Sequence, residues 1–197
     1  MRGGIFWRKM PLGFNVSVKS RIEAAVSAIL LCLLVAASLC AQKQKREPLT
    51  EAQMEKIAEA GIDPNARIAL YTQYLSEKAD AIKALTNRKV SDARASRLSD
   101  ALEDFTALMD ELGENLDQYS DRKADMRKSL QTLADATPRW QSILRALAGE
   151  PGFSLARKEA IESGEDLSEQ AKRLLQEQAD YFRQHPDEAG QDRAEPK

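Results

Sequence analysis

A long helical register of apolar residues constrains the fold of this chain more than any other feature. Between residues 95 and 119 the apolar side chains recur alternately three and four positions apart, at Ala95, Leu98, Leu102, Phe105, Met109, Leu112, Leu116 and Tyr119. This spacing places them on one stripe of an α-helix, where they bury against partner helices. A second run keeps the spacing at Met126, Leu130, Leu133, Thr137, Trp140, Leu144 and Leu147. The register predicts two long amphipathic helices.

Capping residues divide the rest of the chain into further helices. Thr50 with Gln53 forms the pattern of a capping box, and Asp63 and Ser91 are N-cap residues for the next two helices. Ser120 predicts a break before the following one. The predicted helices are a short one over residues 50–61 and long ones over about 64–86, 91–119, 121–148 and 154–185.

Pro138 lies inside the fourth predicted helix, where proline removes a backbone hydrogen bond. Either the chain breaks there, with Thr137 capping a new helix, or one kinked helix continues through it. The three-four register passes this point without a slip, so we favour the continuous helix.

The stripes predict an all-α fold, an antiparallel up-down helical bundle of about four helices, as a monomer. A charge pattern also predicts which helices are neighbours. Acidic residues crowd the end of one helix and basic residues the start of the next, at Asp110, Glu111, Glu114, Asp117, Arg122, Lys123, Arg127 and Lys128. Acidic side chains at a helix C-terminus and basic side chains at a helix N-terminus are both disfavoured by the helix dipole. An antiparallel hairpin would bring the acidic and the basic block together and offset both penalties. We therefore expect the helices over 91–119 and 121–148 to pack side by side.

The N-terminal part has the pattern of an export signal. Residues 24–41 are an uncharged, largely apolar run, and five basic residues precede it: Arg2, Arg8, Lys9, Lys19 and Arg21. We interpret this as a signal peptide cleaved after Ala37, Cys40 or Ala41, and we favour the last two sites. An uncleaved membrane anchor is the alternative, and lipoprotein processing at Cys40 is a third reading that Leu39 fits poorly.

The predicted organisation is a signal peptide or anchor over 1–41, a linker over 42–49, a helical bundle over 50–184 and a disordered polar tail over 185–197. Both cysteines, Cys32 and Cys40, lie in the apolar run, so we expect no disulfide framework in the exported chain. The formal net charge is −2, and residues 42–197 carry 24 basic and 30 acidic side chains. Such mild acidity argues against nucleic-acid binding.

The sequence contains no recognisable catalytic or metal-binding motif. Its single histidine, His185, stands beside a proline in the tail, so neither the Glu-x-x-His pattern of carboxylate-bridged metal sites nor a Ser-His pair is possible within the bundle. We expect no enzymatic activity, no cofactor and no metal.

Two sets of side chains are candidates for a contact patch. One is an acidic row opposite the apolar seam, made of Asp100, Glu103, Asp110, Glu114 and Asp117, with Asp121 at its end. It suits a basic peptide, a polycation or divalent cations, although a solvated face is the simpler interpretation. The other set is Tyr74, which lies off the seam, with Tyr181 and Phe182 near the chain end.

These features predict an exported protein, periplasmic or secreted, that acts without catalysis through contacts with an unidentified protein of the cell envelope. It would serve as an adaptor, a scaffold or an envelope-stress factor. A bundle that binds a ligand or lipid between its helices is one alternative. A membrane-tethered module that keeps residues 24–41 is another.

Overall fold

The computed structural model describes residues 47–190, which fold into five α-helices without a strand. The helices are α1 (Glu51–Glu59), α2 (Pro64–Thr86), α3 (Asp92–Asp121), α4 (Arg127–Ala146) and α5 (Ser154–Gln184), followed by a 3-10 helix over Pro186–Glu188. The all-α prediction is confirmed for these residues. Of the helices in this part of the chain, none is both long and apolar enough to cross a membrane. The predicted signal segment and residues 191–197 lie outside the described residues.

The first three helices begin at the predicted capping residues. The Thr50 hydroxyl accepts a hydrogen bond from the Gln53 backbone N–H at 3.3 Å, and the Gln53 side chain accepts one from the Thr50 N–H at 3.0 Å. Asp63 caps α2, and the Ser91 hydroxyl accepts from the first turn of α3 at 3.2 Å. These bonds satisfy donors that a helix start leaves unpaired, so local chemistry alone sets these three boundaries.

The long helices form two antiparallel hairpins. In the first, the Tyr71 hydroxyl near the start of α2 donates to Glu111 of α3 at 2.5 Å. Further along α2, Lys78 lies 3.8 Å from Asp104, which comes earlier in α3. In the second hairpin, α4 packs against α5 in the same antiparallel sense. Each hairpin is closed by a short connection between its helices.

The two hairpins lie side by side with their corresponding helices parallel. Near the start of α2 and α4, the Ser129 hydroxyl donates to Asn65 at 2.8 Å, and further along both helices the Trp140 indole donates to Ser76 at 3.2 Å. The α3 and α5 helices are neighbours in the same parallel sense. The order around the core is therefore α2, α3, α5, α4, with α3 and α4 on a diagonal.

This order contradicts the predicted hairpin of α3 with α4, because the chain crosses the end of the core between them. Packed helices are about 8–10 Å apart, so diagonal helices are about 14 Å apart. The segment Arg122–Met126 is long enough for that crossing, since five extended residues reach about 17 Å. Its Ala124 and Met126 side chains are fully buried. Burial of these side chains favours the crossing more strongly than exposed charge pairs favour a hairpin, because such pairs contribute at most about 1 kcal/mol.

One side chain of α5 holds the crossing segment in place. The buried Gln178 amide donates to the Ala124 carbonyl at 2.8 Å and accepts from the Met126 backbone N–H at 3.0 Å. Lys123 takes the left-handed conformation, with φ of 58°, where the chain turns away from α3. The break predicted at Ser120-Asp121 agrees with the end of α3 at Asp121, and the next helix begins only at Arg127, after the crossing segment.

The predicted apolar seam of α3 forms the centre of the core. From Leu98 to Leu116 its seam side chains are at most 1% exposed, and Tyr119 is 5% exposed. Phe105 meets Trp140 of α4 edge to face, with the ring centres 6.1 Å apart. Such aromatic pairs add about 0.5–1.5 kcal/mol beyond the area they bury. The interpretation of this seam as core is confirmed.

The α4 helix runs unbroken through Pro138, as the register favoured. Proline has no N–H for the carbonyl four residues earlier, which belongs to Ala134. The Thr137 hydroxyl donates to that carbonyl at 3.3 Å, and its oxygen lies 3.2 Å from the Ser168 hydroxyl of α5. Thr137 therefore replaces the missing backbone donor.

Residues 185–190 make specific contacts with the body of the protein, within the segment that the sequence analysis predicted to be a disordered tail. The Tyr181 hydroxyl donates to Glu188 at 2.5 Å, and the Gly190 N–H donates to Asp125 of the crossing segment at 2.9 Å. The His185 ring stacks on Tyr181 with the ring centres 4.4 Å apart. Polar composition does not show these contacts, because they depend on a few specific bonds and not on apolar burial.

We predict that Thr137→Val lowers the free energy of unfolding by about 1 kcal/mol more in the protein with Pro138 than in the Pro138→Ala variant. The reason is that alanine at position 138 supplies a backbone N–H for the Ala134 carbonyl, so that this carbonyl no longer depends on the Thr137 hydroxyl. The measurement is a double-mutant cycle of urea unfolding free energies. Equal costs of Thr137→Val in the two backgrounds would show that the hydroxyl does not compensate for the proline.

Candidate functional site

The predicted acidic row of α3 borders α5. The Asp110 carboxylate accepts a hydrogen bond from Ser163 at 2.6 Å, and Asp117 accepts one from Gln170 at 2.7 Å. Of the six predicted members, Asp100 is half-buried and the other five are exposed: Glu103, Asp110, Glu114, Asp117 and Asp121. The parallel α3 and α5 pair therefore brings two members of the row, Asp110 and Asp117, into contact with another helix.

A second acidic row on α5 runs alongside the first, and the sequence analysis missed it. Its members follow the same three-four spacing, at Glu159, Glu162, Asp166 and Glu169. That spacing is visible in the sequence. The row on α5 matters only if α5 is the neighbour of α3. The charge pattern of the sequence had instead predicted α4 as the neighbour of α3. The α5 helix thus adds a second acidic row beside the one that was predicted on α3.

A surface groove of about 460 Å³ lies between α3 and α5. Its lining comes entirely from α3 and α5 and consists of Thr106, Met109, Asp110, Gly113, Glu159, Glu162, Ser163, Asp166, Leu167 and Gln170. Gly113 leaves part of the groove free of a side chain, and a Cβ at this position would lie 3.1 Å from the side-chain amide oxygen of Gln170. Met109 and Leu167 are almost fully buried beneath it. The groove therefore has an apolar floor, one carboxylate on its α3 side and three on its α5 side.

The groove is lined by four carboxylates and by no lysine, arginine or histidine. Lys158 reaches Glu162 at 3.3 Å on the exposed side of α5. Within residues 47–190, Glu159 and Asp166 have no cationic partner. Like charges at such spacing repel by a few tenths of a kcal/mol per pair. A cationic ligand would relieve this repulsion.

The acidic residues are not arranged as a metal site. In the described part of the chain, no group of three or more histidine, cysteine, aspartate or glutamate side chains is placed to hold a metal ion. A row along a helix spreads its carboxylates over several turns, whereas a metal needs its ligands about 2–2.6 Å from one point. The groove suits an extended cationic chain with several separated charges.

The predicted aromatic patch is not an open surface. Tyr74 is 3% exposed and Phe182 is 4% exposed, so both belong to the core. The apolar face of α2 is wider than the seam spacing suggested, and Phe182 is covered by the Arg127 guanidinium, 4.7 Å from its ring centre. Tyr181 is half-buried and packs edge to face on Phe182. The patch as predicted has no exposed aromatic centre.

Comparisons with protein-family models, with curated proteins and with solved structures gave no match to this chain. A fold alone does not identify a function, because unrelated activities use the same helical architectures. The functional argument therefore depends on the geometry and charge of the site. Its strongest element is the acidic groove along the parallel helices α3 and α5.

Proposed function

We propose that this chain is an exported, non-catalytic binding module whose groove between α3 and α5 docks a lysine- or arginine-rich segment of a partner protein in the cell envelope. The observation that carries the proposal is a groove between α3 and α5 that four carboxylates line without a basic side chain, Asp110 from α3 and Glu159, Glu162 and Asp166 from α5. We further propose that residues 50–184 are a monomeric up-down bundle that presents this groove. The location would be the periplasm or the exterior, after removal of residues 1–41.

The dimensions of the groove indicate the size of the docked segment. Along α5 it extends from Glu159 to Gln170, a helical rise of about 16 Å. An extended peptide covers that length with about five residues. The carboxylates lie on regular helices, so their positions are set by the core and need little reorganisation on binding. A short, unstructured basic segment therefore fits the site.

A membrane-tethered form of the same module is the second candidate, favoured by the uncharged run at residues 24–41. In that form the groove would serve the same purpose at the membrane surface. The two forms differ in the fate of the N-terminal segment.

We predict that the groove binds a fluorescein-labelled hexalysine peptide and that Glu159→Gln with Asp166→Asn weakens this binding at least about tenfold. Each charge contact at 4 Å is worth about 1 kcal/mol in a water-like dielectric, and 1.4 kcal/mol is tenfold in affinity. Fluorescence anisotropy measures the affinity, which should fall as salt shortens the Debye length.

The matched control is Glu55→Gln with Asp135→Asn, which makes the same charge change on α1 and α4, where both residues are exposed. It should change the affinity less than about threefold. Equal weakening by the two double variants would indicate attraction to overall charge and would contradict a groove site, as would the absence of peptide binding to the unsubstituted protein.

We predict that the protein recovered from its native host begins at Ala41 or Gln42, because the apolar run is a cleaved signal. N-terminal sequencing of the exported fraction measures this directly. A chain that retains residues 24–41 in the membrane fraction would exclude the cleaved form and support the tethered one.

A further inference from the structure

The two most exposed large apolar side chains among residues 47–190 both belong to one end of the bundle. Val90, in the turn between α2 and α3, is 69% exposed. Leu155, in the first turn of α5, is 67% exposed. An apolar side chain gains free energy when it leaves water, so two of them at one end indicate a surface that binds to something.

Contacts between the α2–α3 turn and the α4–α5 connection show that they share this end. A Cβ at Gly152, in the α4–α5 connection, would lie 2.9 Å from the Cβ of Ala95 at the start of α3. The neighbouring Arg94 side chain forms an ion pair with Glu150 of the same connection. Both connections therefore lie against the start of α3.

The end of the molecule formed by residues 87–95 and 147–158, here called the loop end, is positively charged. It carries five basic and two acidic side chains, whereas the formal net charge of the whole chain is −2. Arg88, Lys89 and Lys158 are exposed there. Within the described residues no side chain caps α5, and its first turn has no acidic residue, so its unpaired N–H groups add partial positive charge. The loop end thus combines exposed apolar side chains with positive charge.

We propose that the loop end docks on an anionic phospholipid surface. In this contact Val90 and Leu155 enter the headgroup layer, and the exposed basic side chains face the lipid phosphates. Anionic lipids attract lysine and arginine near the membrane surface, and apolar side chains beside them add to the binding because they leave water. The long stems of lysine and arginine lie along apolar surface while their charged groups stay in water.

A lipid surface suits the loop end better than a folded partner does. Protein interfaces need closely complementary shapes at their centre, whereas a fluid lipid layer accepts separate apolar side chains without a matching groove. The charge of the loop end is also opposite to that of an anionic bilayer. This contact is separate from the groove between α3 and α5 and does not depend on its function.

The test places an environment-sensitive fluorophore at the loop end of the full chain. With Cys32→Ser and Cys40→Ser as background, Leu155→Cys is labelled with nitrobenzoxadiazole and titrated with vesicles of phosphatidylglycerol or of phosphatidylcholine. We expect a blue shift of the emission with phosphatidylglycerol, because the fluorophore leaves water, and none with phosphatidylcholine. Ile62→Cys is the matched control, since Ile62 is also exposed, at 57%, but lies in the α1–α2 turn at the other end of the bundle. Its emission should not change, and the comparison holds whether or not residues 24–41 are retained.

The contribution of charge is measured in the protein labelled at position 155. Arg88→Gln with Lys89→Gln and Lys158→Gln removes three of the basic side chains of the loop end. We expect the lipid concentration at half-maximal shift to rise at least about tenfold, because each basic side chain near an anionic surface strengthens the binding several-fold.

Lys56→Gln with Lys128→Gln and Lys172→Gln is the matched control, because it removes the same charge from exposed positions outside the loop end. It should change that concentration less than about threefold, since charges farther than a Debye length from the lipid are screened. The proposal is overturned if the fluorophore at position 155 does not shift with phosphatidylglycerol, or shifts equally with phosphatidylcholine. An equal shift at position 62, or equal weakening by the two triple variants, would overturn it as well.

Discussion

The contact between Gln178 and the segment Arg122–Met126 determines which helices are neighbours in this protein. A single amide gives the segment both an acceptor and a donor while Ala124 and Met126 enter the core. Without such partners, the unpaired backbone groups of a buried connection would each cost about 1–3 kcal/mol. The crossing places α3 next to α5 and on the diagonal from α4. Every later feature of the surface follows from that placement.

The acidic groove is a consequence of this arrangement and is maintained by the core beneath it. Each leucine buried on the α3 seam contributes about 1.5–3 kcal/mol, whereas a like-charge pair at helical spacing costs about 0.2–0.5 kcal/mol. Burial of the stripes therefore outweighs repulsion between the two rows. The hydrogen bonds of Ser163 to Asp110 and of Gln170 to Asp117 also join the rows without neutralising them. The result is a fixed surface of one charge sign.

Local features of the fold were predictable because they depend on neighbouring residues in the chain. Thr50, Asp63 and Ser91 cap helices through bonds within one turn, and the buried face of α3 follows from its periodicity. The identity of neighbouring helices was not predictable. The charge blocks around Ser120 are compatible both with an α3–α4 hairpin and with a diagonal placement of these helices, and only the buried crossing segment decides between the two. The α5 half of the groove was missed for the same reason. The burial of Tyr74 depends on how the helices pack together, which the spacing of apolar residues along one helix does not show.

The most direct test of the account asks whether α3 is the neighbour of α5. With Cys32→Ser and Cys40→Ser as background, the pair Asp110→Cys and Ser163→Cys is treated with a short bismaleimide, and the crosslinked peptides are identified by mass spectrometry. The account predicts an intramolecular crosslink for this pair, whose native side chains are hydrogen-bonded at 2.6 Å. It predicts none for Asp117→Cys with Lys128→Cys, which a hairpin of α3 and α4 would bring together. The reverse result would contradict the crossing and the groove that depends on it.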